Sequence, residues 1–153
     1  MNAPASIRTD PASKARLRLW LKLLRASRQI EGHLRERMRA EMGSTLPRFD
    51  VMAALSRAPE GLRMSQVSSR LGVSPGSLTG IVDRLVAEGL VDRRAAAGDR
   101  RALLVRLTPD GEAEFGRLAA AHEGWVDALF APLKPGEMAD LADLLDRIPR
   151  KEG

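Results

Sequence analysis

The sequence predicts a mainly α-helical protein with one small β-hairpin near its middle. Three observations carry this. Apolar residues recur three or four positions apart over both ends of the chain, the mark of a helix with one buried face. Glycine and proline divide the middle into short elements. Over Leu103, Val105 and Leu107 the apolar period drops to two, which only a strand uses. With 153 residues, 44% of them hydrophobic, the chain can build one real core. Aromatic residues are only 3%, so that core must come from Leu, Val, Ala and Met.

Residues 1–13 read as a flexible arm containing proline and serine. From Lys14 to Met42 there is no proline and one glycine, and Leu17, Trp20, Leu21, Leu24, Ile30, Leu34, Met38 and Met42 form a helical stripe. Gly43 and Ser44 stop it. Pro47 suits the start of a second helix with Phe49, Val51, Met52, Ala54 and Leu55 inward. The segment Ala58–Gly61 is a turn. Ser65 is placed to cap a short helix bearing Val67 and Leu71, and Gly72 to end it. Ser74-Pro75 then opens a fourth helix, cap first and proline next, with Leu78, Ile81, Val82 and Leu85 on one side and Gly89 as terminator.

Short helix, brief turn with glycine, longer helix is helix-turn-helix layout. Val91–Arg94 and Ala102–Leu107 pair as strands, with Leu103, Val105 and Leu107 anchoring the returning strand. "AAAGD" supplies the loop between them. A hairpin directly after a helix-turn-helix is a wing. Thr108 caps the next helix, Pro109 follows, and a stripe from Phe115 to Phe130 resumes. After a bend at "APLKPG", Met138, Leu141, Leu144, Leu145 and Ile148 stripe the last helix. The division is therefore 46–108 for the winged unit, with 14–45 and 109–153 as long flanking helices. Their apolar stripes are too long for one small domain to cover, which points to packing against a second copy about a two-fold axis.

Charge adds to this. Lys and Arg outnumber Asp and Glu by 25 to 20. Five arginines, Arg93, Arg94, Arg100, Arg101 and Arg106, crowd the wing against Asp92 and Asp99, an excess that suits an acidic partner. There is no cysteine, so disulfides, thiolate metal sites and thiol redox sensing are excluded. No nucleophile–base pair, phosphate-binding glycine loop or metal-ligand cluster appears, which argues against an enzyme and calls for no cofactor. No signal peptide or membrane-spanning run is present, so the expectation is a soluble, cytoplasmic protein.

The side of the fourth helix opposite its apolar residues carries Gly76, Gly80, Asp83 and Ala87, flanked by Ser77, Thr79 and Arg84. Each mid-helix glycine costs about 1 kcal/mol relative to alanine. Small residues allow close approach to a surface, and hydroxyls with an arginine donate to phosphates and base edges, as a helix in the DNA major groove requires. The alternative is that the glycines are tolerated or relieve crowding against a neighbouring helix. Ser74, at the helix start, is first a cap, beside amides that suit a phosphate. At the wing, Arg100 or Arg101 is placed to reach a narrow minor groove, while Asp99 or Asp83 holds and orients an arginine. The bland reading of the same tip is a solvated hairpin end.

In "LPRFDVMAAL", "MSQVSSRLGVSPGSLTGIVDRLVAEGLVDRR" and "GDRRALLVRLTPDG" the chain resembles the multiple-antibiotic-resistance regulator (MarR) family of bacterial winged-helix transcription regulators. The resemblance runs from about Leu46 to Gly111. It implies a homodimer held by the terminal helices, a recognition helix from about Ser74 to Glu88, a wing tip at Asp99–Arg101, and a palindromic operator in double-stranded DNA. It also implies repression relieved by a small aromatic or phenolic acid bound between the dimer helices and the DNA-binding unit. Trp20, His122 and Trp125 are the candidates to line such a pocket, although a tryptophan on an apolar stripe is more often core. The competing reading is a winged-helix module used for protein contact with no DNA role.

Overall fold

A computed structural model describes residues 10–150, except for the side chain of Arg100. The order of elements is α1 (Pro11–Met42), α2 (Leu46–Ser56), β1 (Leu62–Arg63), α3 (Met64–Leu71), α4 (Pro75–Ala87), β2 (Val91–Ala96), β3 (Asp99–Leu107), α5 (Pro109–Phe130) and α6 (Pro135–Asp146). The expected class, mainly helical with a winged helix-turn-helix in the middle, is what forms.

Local chemistry explains most boundaries. The α1 helix starts earlier than the 1–13 arm allows, because Asp10 caps it by accepting from Ala12 N–H at 3.1 Å, with Pro11 in the first turn. The remainder of the arm, residues 1–9, lies outside the described residues. At its far end Gly43 takes the left-handed conformation, φ 59°, that closes a helix. Thr45 caps α2, which begins at Leu46 with Pro47 second. Ser65 does not cap α3. Arg63 stands at that position, and its N–H donates to Gln66 Oε1 at 2.9 Å, because the chain is already extended there as β1. Ser74 caps α4 as expected, its Oγ accepting from Ser77 N–H at 3.3 Å.

The sheet has three strands in the order β1-β3-β2, all antiparallel. The sequence reading missed β1, since two residues, Leu62 opposite Val105 and Arg63 opposite Leu104, carry no periodicity to read. The wing also differs from expectation. Ala95 and Ala96 belong to β2, so the turn is only Ala97-Gly98, with Gly98 at φ 81°. Leu103 does not anchor the returning strand. It is 48% exposed, while Val105 and Leu107 are buried, so the wing projects past the core from Leu103 onward.

The core is one cluster. Val51, Met52 and Leu55 of α2, Val67 of α3, Leu78, Val82 and Leu85 of α4, and Val91 and Val105 of the wing are all buried. Each fully buried side chain of this kind contributes roughly 1.5–3 kcal/mol. Leu34 and Met38 of α1 and Leu118 and Trp125 of α5 close the cluster from the flanking helices. Below that closure the stripes emerge uncovered: Leu17, Trp20 and Leu21 on α1, and Met138, Leu141, Leu144, Leu145 and Ile148 at the C-terminal end are all exposed. No residue of α6 is buried.

Candidate nucleic-acid interface

The α4 helix is anchored along its inner face and at its C-terminal end, which leaves its outer side open. Leu78, Val82 and Leu85 anchor its inner face. Arg48 of α2 forms a two-pronged ion pair with Glu88 at the C-terminal end of α4, one prong at 3.2 Å. The Thr108 hydroxyl donates to Gly89 carbonyl at 2.6 Å, and Thr108 N–H donates to Leu90 carbonyl at 3.0 Å, so the exit of α4 is bound to the start of α5.

On the open side Ser74, Gly76, Ser77, Thr79, Gly80, Asp83 and Arg84 are all exposed. A Cβ built on Gly76 or Gly80 meets nothing within 4 Å. These glycines therefore relieve no crowding within the protomer, and their hydrogen atoms form a flat, accessible strip. The Thr79 hydroxyl donates to Pro75 carbonyl at 2.8 Å and Ser74 Oγ donates to Ser77 Oγ at 3.0 Å, so local acceptors orient both hydroxyls. Arg84 meets no carboxylate within ion-pair distance among the described residues.

Of the two carboxylates expected to orient the wing, Asp83 holds a wing arginine, whereas Asp99 acts differently from expectation. Asp83 pairs with Arg93 of β2, not with a tip arginine, because the side chain of Arg93 projects from the strand that runs beside α4. Asp99 accepts from the backbone N–H of Arg101 at 2.9 Å and binds no guanidinium among the described residues. It therefore shapes the turn, not an arginine head group. The strand register shows why the tip is special. Ala95 faces Leu103, but its neighbour Ala96 faces Asp99, so Arg100, Arg101 and Ala102 fall in an irregularity of β3. Such bulges bend a strand and re-aim its side chains. Arg101 is exposed there, whereas the Arg100 side chain lies outside the described residues. Lower on the wing Arg106 pairs with Asp92 at 3.2 Å across the strands, with Arg94 at 3.6 Å from the same residue.

Trp20, His122 and Trp125 do not meet in one cavity within the protomer. Trp125 is buried, its indole N–H donates to Glu41 at 3.2 Å, and the Arg37 guanidinium lies 5.5 Å above its ring. His122 stacks on Phe49 at 4.6 Å. Trp20 is exposed on α1, about 30 Å along the helix from Glu41. A cleft of about 490 Å³ lies instead between α1, the start of α2 and α4, lined by Arg35, Arg39, Arg48 and Arg84 together with Ser77 and Gly80. Sequence reading missed it, because the residues come from three separated segments. Arg35 is paired with Glu31 at 3.0 Å and Arg48 with Glu88, but Arg39 and Arg84 have no carboxylate partner among the described residues. On α2, partial burial raises the Asp50 carboxyl above its usual value; His122 works against this and Glu31 adds to it. On α5, the hydrogen bond from Arg117 holds the Glu114 carboxyl below its usual value.

Comparison with known proteins agrees with this architecture. The crystal structure of a MarR family transcriptional regulator from Silicibacter pomeroyi superposes with a TM-score of 0.76 and 30% identity, covering 92% of this chain and 96% of that one. The chain belongs to the MarR family. The MarR family profile also matches residues 42–102, from the end of α1 to the wing tip. The HTH-type transcriptional regulator PecS of Dickeya dadantii is 32% identical over 104 residues, which span 67% of this chain and 63% of PecS. A mutant MarR from E. coli, solved in complex with operator DNA, gives a TM-score of 0.76 at 25% identity, covering 92% of this chain and all of that one. Among the described residues of this MarR family chain, no helix is long and apolar enough to cross a membrane.

Proposed function

We propose that this MarR family regulator is a dimeric, sequence-specific DNA-binding repressor that a small aromatic acid releases from its operator. The observation that carries the DNA reading is the open side of α4. Its glycines face empty space, its hydroxyls are oriented, and Arg84 has no carboxylate partner among the described residues, so the helix can lie deep against base edges in the major groove. Asp83 anchors the wing to that helix through Arg93, which keeps the bulged tip with Arg101 at a fixed offset for the minor groove. The operator complex of the E. coli relative supports the same reading. A protein-contact module would gain nothing from a bare glycine strip, whose exposed backbone offers little apolar area to bury.

The test is selection of bound fragments from random duplex DNA, followed by titration at several salt concentrations. The expected result is a palindromic site whose affinity falls steeply with salt, because phosphate contacts release counterions. Failure to enrich any sequence, or binding that ignores salt, overturns the proposal.

Two further parts belong to this reading. The exposed Trp20 side of α1 and the exposed stripe of α6 are covered by a second copy, since apolar area of this extent is rarely left open in a soluble monomer. Replacing Leu141 and Leu144 with Asp is expected to convert the dimer to a folded monomer in sedimentation, with helical circular dichroism retained; a variant that still sediments as a dimer refutes this part. The effector site is the arginine-lined cleft, not a Trp20–His122–Trp125 pocket. Its volume suits a small ligand, and the uncommitted guanidiniums of Arg39 and Arg84 suit a carboxylate. A ligand there touches α1 and α4 together, so it acts directly on the placement of the recognition helix.

A further inference from the structure

The N-terminal half of α1 carries a feature that neither the recognition helix nor the effector cleft uses. Between Pro11 and Ile30 there are six cations, Lys14, Arg16, Arg18, Lys22, Arg25 and Arg28, and no carboxylate. Five of them, all except Arg16, fall within an arc of about 120° on the helix surface and extend along about 21 Å of it. All five are exposed, and none is within ion-pair distance of a carboxylate among the described residues.

The centre of this arc is turned away from Trp20 and Leu23, whose side of the helix continues into the buried Leu34 and Met38, while the exposed Leu21 lies within the arc beside Arg18, Lys22 and Arg25. The side of Trp20 and Leu23 is therefore the packing side, and a second copy that covers it leaves the cations, with Leu21 among them, in solvent. Arg35 and Arg39 extend the cationic side toward the cleft, where Arg39 sits across from Ser77, Gly80 and Arg84 of α4. Positive charge thus recurs from the recognition helix along α1, interrupted by Glu31, which pairs with Arg35, and by Glu36.

From this we infer that the cationic side of α1, from Lys14 to Arg28, is a second nucleic-acid surface that binds the phosphate backbone of duplex DNA without regard to sequence. The inference rests on the dimer reading, which assigns the apolar side to a second copy. Three features select DNA over other anions. The row contains no acidic residue to set a register with a folded acidic protein. Three of its five cations are arginines, which pair well with phosphate oxygens. The apolar side that a membrane-bound helix would insert is continuous with the protein core. A surface of this kind would hold the regulator on non-operator DNA, or join a second segment to the operator complex.

The test uses the full chain and a duplex of random sequence. Changing Lys14, Arg18, Lys22, Arg25 and Arg28 together to Gln is expected to make the log–log dependence of affinity on salt shallower. The slope should fall by about 0.9 for each phosphate no longer neutralised, and by at least about 2 in all. A variant with the lysines and arginines of the row exchanged keeps its charge and should retain the wild-type salt slope. Sedimentation and circular dichroism check that the dimer persists. If the fivefold change disturbs it, the pair Lys22→Gln and Arg25→Gln is read instead, with an expected change of about 1–2. A salt slope unchanged in the neutralised protein overturns the inference. So does loss of binding to phosphatidylserine vesicles with DNA binding unaltered, which would assign the row to a membrane. A second chain with Arg84→Gln and Arg101→Gln separates this from the operator reading. It should lose selected-site binding and keep the contribution of α1 to random DNA; if α1 contributes nothing there, the inference fails while the operator reading stands.

Discussion

Replacing Gly111 with Ala is expected to destabilise the protein by about 3 kcal/mol or more, at the upper end of what overpacking costs. Gly111 is buried in the first turn of α5, and a Cβ there would lie 1.9 Å from the carbonyl oxygen of Leu90 and 2.9 Å from its carbonyl carbon. The obstacle is backbone, so no rotamer change relieves it. That same oxygen accepts from Thr108 N–H, and Gly111 N–H donates to Thr108 Oγ1 at 3.0 Å, so relief requires the wing exit and α5 to separate. Urea denaturation measures the effect. Gly80→Ala is the informative contrast: with nothing within 4 Å, the new methyl should stabilise the helix by about 1 kcal/mol. It should not strengthen DNA binding, because it thickens the strip that enters the groove. A Gly111→Ala protein as stable as the wild type would show that this junction is not packed as described.

Arg101→Ala is expected to weaken binding to the selected operator by about tenfold or more, equivalent to about 1.4 kcal/mol. The dimer and the thermal stability should be unaffected. Arg101 sits in the irregular part of β3, exposed, and its backbone N–H donates to Asp99 while its guanidinium meets no carboxylate within ion-pair distance among the described residues. Its loss removes nothing that holds the fold together. The measurement is a fluorescence anisotropy titration at fixed salt, with sedimentation as the control. Affinity equal to wild type would remove the wing tip from the DNA contact.

Much of the fold was legible in the sequence because it is encoded locally. Caps at Ser74 and Thr108 and stops at Gly43 and Gly72 act within one helical turn, and each lies where a helix begins or ends. The apolar stripe of α4 and the alternation of Val105 and Leu107 identified the inner faces, since burial follows periodicity. The exposed face of α4 followed by subtraction. The early start of α1 at Pro11 was also within reach, because Asp10-Pro11 is a cap and first-turn pair. Ser65 misled for the opposite reason: a good capping residue lay at the second position of a helix that a strand had already positioned.

The sequence by itself determined the element types, the helix-turn-helix with its wing, and the residues that face outward on α4. Only the tertiary structure decided which arginine each carboxylate holds. Asp83 takes Arg93 because β2 runs beside α4, and Asp99 takes a backbone N–H because the wing turns at Ala97-Gly98. Only the tertiary structure, too, joined Arg35, Arg39, Arg48 and Arg84 around one cleft and kept Trp20 away from Trp125. The physical reason is range. Caps, turns and periodicity are settled between residues a few positions apart, whereas ion pairs and cavities depend on which distant elements pack together. One line of sequence does not specify that packing until the core has formed.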